Sequence, residues 1–254
     1  MKKKNRINEA LINPNNNNES ETQDRSPIIP QRPKLKFSLK LYQRELTPKQ
    51  KQFLELASDK TSKIIFVSGP AGTSKTFLAV LHALTMLNDK KVSDLIYIRS
   101  AVESSDTKLG FLPGEADDKL APYIQPLLDK MSEMLPKGDI DILKKEERVV
   151  GVPVGFLRGL NWNAKVIIAD EAQNMTYKEL FTLITRTGEF SKVFILGDPE
   201  QSDINGKSGF IKMISHFDDE ESRQNGIHVF RFTEDDIVRS GLVRFIIKKI
   251  KKAL

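Results

Sequence analysis

The chain has 254 residues, no cysteine, 39% apolar residues and a net charge of +6. It therefore has no disulfide scaffold, thiolate zinc site or thiol nucleophile, and no stretch approaches the roughly 18 uninterrupted apolar residues of a membrane helix. The charge lies at the ends: residues 1–36 hold 8 basic against 4 acidic side chains and residues 244–254 hold 5 against none, leaving −3 for residues 37–243. A basic nucleic-acid groove on the central sequence is thus not implied by the overall charge.

Residues 1–36 run through Asn15 to Asn18 and then Pro27, Pro30 and Pro33, with few apolar groups to offset ordering entropy. They read as a disordered, basic Asn- and Pro-rich tail, and residues 37–254 as a single domain. The basic start lacks the apolar stretch of a secretion signal, so the expectation is a soluble, cytoplasmic chain without membrane contact. Next, LTPKQKQFLELAS (Leu46 to Ser58) offers Thr47 as N-cap, Pro48 at the first helical position, and Phe53, Leu54 and Ala57 at helical spacing. IIFVS (Ile64 to Ser68) predicts a buried strand, followed by a Gly-rich turn and an apolar helix from Thr76 to Asn88. Further strands are expected at Leu95 to Ile98, Val149 to Val152, Val166 to Asp170, Val193 to Asp198 and His228 to Phe232. Their continuous apolarity fits strands covered on both faces: an α/β, three-layer architecture with a largely parallel sheet.

Between the second and third strands, residues 102–147 form an inserted segment. Pro113, Gly114 and Pro122 are expected to break it, and Ile124, Leu127, Leu128 and Met131 predict a helix. It could line a pore, join subunits or contact nucleic acid; 11 acidic residues in 101–150 disfavour direct contact with a phosphate backbone. At the other end, Leu242, Phe245, Ile246, Ile250 and Leu254 make one stripe of a basic amphipathic helix, able to dock on the core, on another subunit or on an anionic partner.

Three segments carry chemistry. GPAGTSKT (Gly69, Pro70, Ala71, Gly72, Thr73, Ser74, Lys75, Thr76) lies between a strand and a helix, as a phosphate-cradling Walker A loop requires. Loop N–H groups would receive phosphate oxygens, Lys75 would meet the β/γ-phosphates, and the Thr76 hydroxyl would ligate Mg²⁺. Ser74 stands where the pattern G-x-x-x-x-G-K-[ST] has glycine; should that position need φ > 0, serine costs on the order of 1 kcal/mol. VIIADEAQN ends a strand with Asp170, suited to support Mg²⁺, and Glu171, suited to activate or orient a water, as in a Walker B segment. ILGDPEQSD ends another, where Gln201 can present its amide to a γ-phosphate or a water. In a parallel sheet these strand ends converge on one edge, where ligands bind.

The loop GPAGTSKT, with TPKQ (47–50), IRSAVE (98–103), KLGFLPGE (108–115), LRG (157–159), DEAQN (170–174), TR (185–186), GDPEQSD (197–203) and FRFTEDDIVRSGLV (230–243), resembles the PhoH family of phosphate-starvation-inducible-type P-loop ATPases. The similarity spans roughly residues 40–250. It implies a RecA-like core akin to the first motor domain of superfamily 1 helicases, with ATP and Mg²⁺ as cofactors. Gln50 would then read the adenine. It also implies a homo-oligomer, a hexameric ring being the favoured form, with single-stranded RNA as a candidate ligand. Superfamily 1 motors take γ-phosphate arginines from a second RecA-like domain; here one would have to come from a neighbouring subunit, with Arg158, Arg186 and Arg239 as candidates. Ser74, Ser100 and Ser240 depart from the family pattern. Ser74 leaves a second reading open: a nucleotide-gated binding or scaffold protein with little hydrolysis.

Overall fold

The first helix, α1 (Pro48–Ser58), starts where the sequence predicts, because its first turn is doubly capped. Thr47 Oγ1 accepts from the Gln50 N–H at 3.3 Å, and Gln50 Oε1 accepts from the Thr47 N–H at 3.1 Å, so two otherwise unpaired donors are satisfied. The computed structural model describes residues 33, 35–100, 116–157, 162–204 and 206–251, and those from 31 onward belong to one compact unit. Of the disordered tail expected over residues 1–36, only 33, 35 and 36 are among the described residues. Leu35 and Leu39 are already buried in the core, and the Pro33 carbonyl accepts from Arg148.

After α1 come β1 (Ile64–Ser68), α2 (Lys75–Asn88), β2 (Asp94–Arg99), α3 (Ala116–Ser132), α4 (Lys137–Lys145), β3 (Val149–Pro153) and β4 (Lys165–Asp170). These are followed by α5 (Tyr177–Ile184), β5 (Lys192–Gly197), α6 (Phe210–Phe217), α7 (Glu220–Gln224), β6 (Ile227–Arg231) and α8 (Gly241–Lys251). All six strands are parallel, in the order β3-β2-β4-β5-β1-β6. The expected three-layer α/β fold with a parallel sheet is therefore present.

Side chains alternate between the two faces of a strand. Ile65, Val67, Leu95, Tyr97, Ile168 and Phe194 face one core with residues of α1, α2, α3 and α4. Phe66, Ile96, Ile98, Ile167, Val193 and Ile195 face a second core with α5 and α6. Burial of both faces explains the unbroken apolar runs in the sequence.

One expectation needs correction. Pro122 does not break the inserted segment: α3 passes through it. An internal proline costs about 3 kcal/mol in a helix, but burial of Leu127 and Met131, each worth about 2 kcal/mol, offsets that cost. Close docking helps: a Cβ at Gly151 on β3 would stand 2.8 Å from Ile124 Cβ, so glycine lets α3 lie against the sheet. Pro113 and Gly114 lie outside the described residues. The amphipathic C-terminal helix exists as α8, but Leu242 and Phe245 remain 69% and 62% exposed, so the described core does not cover its apolar stripe.

Candidate functional site

The loop joining β1 to α2 turns through three residues with positive φ, Gly69 at 156°, Gly72 at 87° and Ser74 at 69°. Ser74 thus adopts the left-handed conformation (ψ 25°) that glycine usually supplies, and its side chain makes no capping bond to α2. Behind the turn, the buried Thr73 hydroxyl donates to the Pro70 carbonyl at 3.0 Å. Lys75 folds over the loop and donates from Nζ to the carbonyls of Gly69 (2.6 Å) and Pro70 (3.0 Å). Burial lowers its pKa, and the carboxylates of Asp198, Asp170 and Glu171 work in the opposite direction.

Adjacent parallel strands bring the acidic residues to this loop. The Thr76 hydroxyl lies 3.1 and 3.2 Å from the two carboxylate oxygens of Asp170, which is almost fully buried at the end of β4. The buried Tyr97 hydroxyl, reaching up from β2, donates to Asp170 Oδ2 at 2.5 Å, and the Glu171 N–H donates to Oδ1 at 3.1 Å. Burial first, and Asp170 second, raise the Tyr97 pKa far above the usual phenol value, so this group stays a donor.

Glu171 begins a tight turn with φ 54°. Its carboxylate accepts from Gln173 Nε2 at 2.6 Å and lies 3.9 Å from the Arg99 guanidinium. Gln173 also donates to the Gln201 carbonyl (3.3 Å) and accepts from the Asp198 N–H (3.0 Å), tying the β4 and β5 loops together. Asp198 in turn accepts from the Ala71 N–H at 3.0 Å and from the Glu200 N–H at 3.1 Å.

These groups enclose a pocket of about 310 Å³. Of the residues expected from sequence, Ala71, Gly72, Ser74, Lys75, Thr76, Asp170, Glu171, Gln201 and Arg239 line it. Gly69 and Pro70 offer their carbonyls to Lys75 from beneath, and Thr73 is buried behind the turn. Gln50 is buried and caps α1, and it is not among the lining residues. Arg239 lies on the loop of its own chain, where a Cβ at Gly72 would stand 2.8 Å from its Cγ. Arg186, which follows α5, is not among the lining residues, and its buried Nε has no hydrogen-bond partner among the described residues. Arg158 lies outside the described residues.

Sequence reasoning gave no role to Tyr97, Arg99, Gln173 or Asp198, although the last three stand inside quoted motifs. It also missed Arg44, Lys130 and Glu133, which line the pocket as well. Arg44 sits over the Phe77 ring, 5.1 Å from its centroid, and pairs with Glu133 at 3.7 Å. No local signal marks these residues, which come from the segment before α1, from α3 and from the turn that follows it.

Thr76 and Asp170 present hard oxygen donors within hydrogen-bond distance of each other at the mouth of the loop, a set that fits Mg²⁺. Among the described residues, no group of three or more His, Cys, Asp or Glu could hold a metal. Such a site suits an ion that takes its remaining ligands from phosphate and water. No described helix is long and apolar enough to cross a membrane.

A family model described as PhoH-like protein matches residues 43–251. The chain is 36% identical over 206 residues to a PhoH-like protein of Mycobacterium bovis, covering 80% of this chain and 56% of that protein. With a PhoH-like protein of Bacillus subtilis it shares 34% over 202 residues, covering 78% and 61%. The chain thus spans little more than half the length of these relatives. Among solved structures, a large terminase from a thermophilic bacteriophage superposes with a TM-score of 0.51 at 11% identity, covering 81% of this chain and 50% of that one. That likeness concerns the fold alone.

Proposed function

The chain belongs to the PhoH-like protein family, and from that premise we propose that it binds Mg·ATP in the pocket at the β1–α2 loop and hydrolyses it. The observation that carries this reading is the contact between the Thr76 hydroxyl and the Asp170 carboxylate, beside the Lys75 ammonium. A phosphate loop and an acidic strand end meet there in the arrangement phosphoryl transfer to water requires.

In this reading, the loop N–H groups and Lys75 receive the β- and γ-phosphates, Lys75 exchanging its loop carbonyls for phosphate oxygens. Thr76 and Asp170 would hold Mg²⁺, which would supply positive charge to the phosphates. Glu171, steadied by Gln173, orients the attacking water and accepts its proton. Gln201 faces the pocket where the γ-phosphate would end, and its amide reports the presence of that group. Arg239 serves the pocket of its own chain. Arg186, outside the pocket, is the arginine a neighbouring copy would supply if turnover requires a homo-oligomeric ring. Ser74 already holds the left-handed geometry of the missing glycine, which supports turnover over a scaffold that only binds nucleotide. RNA is proposed as the ligand whose remodelling turnover would drive, with the basic termini as its contacts.

Steady-state phosphate release with Mg·ATP tests the proposal. The wild type is expected to turn over, Lys75→Ala to lose both binding and turnover, and Glu171→Gln to keep binding while losing turnover. Equal release by all three would overturn the ATPase reading. Adding single-stranded RNA tests the coupling, and sedimentation with and without nucleotide tests the ring.

A further inference from the structure

Strand β2 carries two polar residues that the site chemistry so far leaves without a purpose. Tyr97 is fully buried in the α2-side core, among Ile168, Phe194 and Leu95, where a phenylalanine would fill the same space. Its hydroxyl nonetheless reaches Asp170 Oδ2 at 2.5 Å. Arg99, two residues on and therefore on the same face of the strand, sits 3.9 Å from Glu171 Oε1. In the β2–β4 register Arg99 is paired with Asp170, so β2 ends directly beside the two acids.

We propose that Tyr97 and Arg99 are positioning residues for the two adjacent carboxylates: Tyr97 fixes Asp170 for the cation, and Arg99 draws Glu171 away from it, toward the water. This rests on the Mg·ATP reading above.

Adjacent carboxylates repel each other, yet both are attracted to one divalent cation, so a site that needs one as a cation ligand and the other as a base must hold them apart. Asp170 has donors on both oxygens: Tyr97 on Oδ2, the Glu171 N–H on Oδ1, and Thr76 shared between them. When the Thr76 oxygen turns to a cation, Tyr97 and the Glu171 amide still fix the carboxylate plane. Without the phenol, Oδ2 keeps no donor besides Thr76 among the described residues, and the plane is free to turn. Partners of this kind typically contribute about 10- to 100-fold to metal affinity.

Glu171 is pulled from a different side. Gln173 holds Oε2 at 2.6 Å, and Arg99 supplies a counter-charge near Oε1. The Arg99 and Glu171 side chains are 33% and 42% exposed, so their pairing adds little to stability. Its effect is on direction, and it should appear in turnover.

The test uses the full chain with a fluorescent ATP analogue, titrating Mg²⁺ while following both analogue binding and phosphate release. Circular dichroism melting without nucleotide checks the fold. Tyr97→Phe is expected to raise the half-saturating Mg²⁺ concentration for binding about 10-fold, with maximal turnover at high Mg²⁺ within about threefold of wild type. Arg99→Ala is expected to leave that Mg²⁺ midpoint in place and lower maximal turnover about 10-fold, with Arg99→Lys recovering part of the loss. A wild-type Mg²⁺ midpoint in Tyr97→Phe overturns the first assignment, and unchanged turnover in Arg99→Ala overturns the second. If Tyr97→Phe fails to fold, Tyr97 is a core residue and the first assignment falls. A wild-type chain that binds no nucleotide overturns the proposed function itself, a result distinct from either variant's behaviour.

Discussion

Replacing Ser74 with glycine removes one specific strain. At φ 69° and ψ 25°, Ser74 occupies the left-handed region, which costs an L-residue about 1–2 kcal/mol. Its side chain makes no capping bond that would offset this. Glycine relieves the strain, but its greater freedom in the unfolded chain takes back about 0.4–1 kcal/mol. The net expectation is a gain of about 0.5–1 kcal/mol, or a rise in Tm of about 2 °C for a domain of this size. Thermal unfolding by circular dichroism measures it, and turnover is expected to stay within about threefold of wild type, since the loop geometry is already in place. Gly72→Ala is the contrasting variant: at φ 87° its new Cβ would stand 2.8 Å from Arg239 Cγ, so both stability and nucleotide binding should fall. A lowered Tm in Ser74→Gly would refute the strain argument. A rise in turnover of about 10-fold, equivalent to about 1.4 kcal/mol, would instead mean that Ser74 restrains hydrolysis, and the scaffold reading would gain.

Acid should destabilise the fold through His82, whose pKa is lowered to about 4, chiefly by burial and then by Lys192 and Lys91. The unfolded chain binds the proton more readily, so this contribution is fully present above about pH 6.5 and is lost as the pH falls toward 4, at most about 3 kcal/mol. Denaturant midpoints at stepped pH check it, and His82→Leu should flatten the acid limb. Gly151→Ala should cost about 1–3 kcal/mol, because its Cβ would press on Ile124 in α3, at 2.8 Å from the side chain and 3.0 Å from the backbone. A stability loss below about 0.5 kcal/mol would mean that α3 shifts freely over β3.

Strand positions and the two acidic strand ends were legible because they depend on local pattern: apolar runs closing on Gly-Pro, Asp-Glu or Gly-Asp. Pro122 misled because a proline's local cost is visible in sequence, while the burial that offsets it depends on β3, folded later in the chain. Gln50 shows one residue type serving two purposes. Thr47-x-x-Gln50 is also a capping box, and in the structure the amide oxygen is engaged there. Tyr97 was unreadable for a different reason. Its spacing is that of any core aromatic, and its partner stands 73 positions away across the sheet. Arg44 and Glu133 meet only because the segment before α1 and the turn after helix α3 reach the same side of the loop.

Asp198 gives the loop an internal competitor. Its carboxylate already answers the Ala71 N–H, so an incoming anion that uses this donor must displace a charge anchored in the fold. A small monovalent anion gains nothing by that exchange. A polyphosphate, which reaches several donors and Lys75 together, does. On the proposed reading, discrimination between the two would be set before any base or sugar is read. The Gln201 N–H is bonded to the Asp198 carbonyl, so the same residue also ties down the segment that carries Gln201.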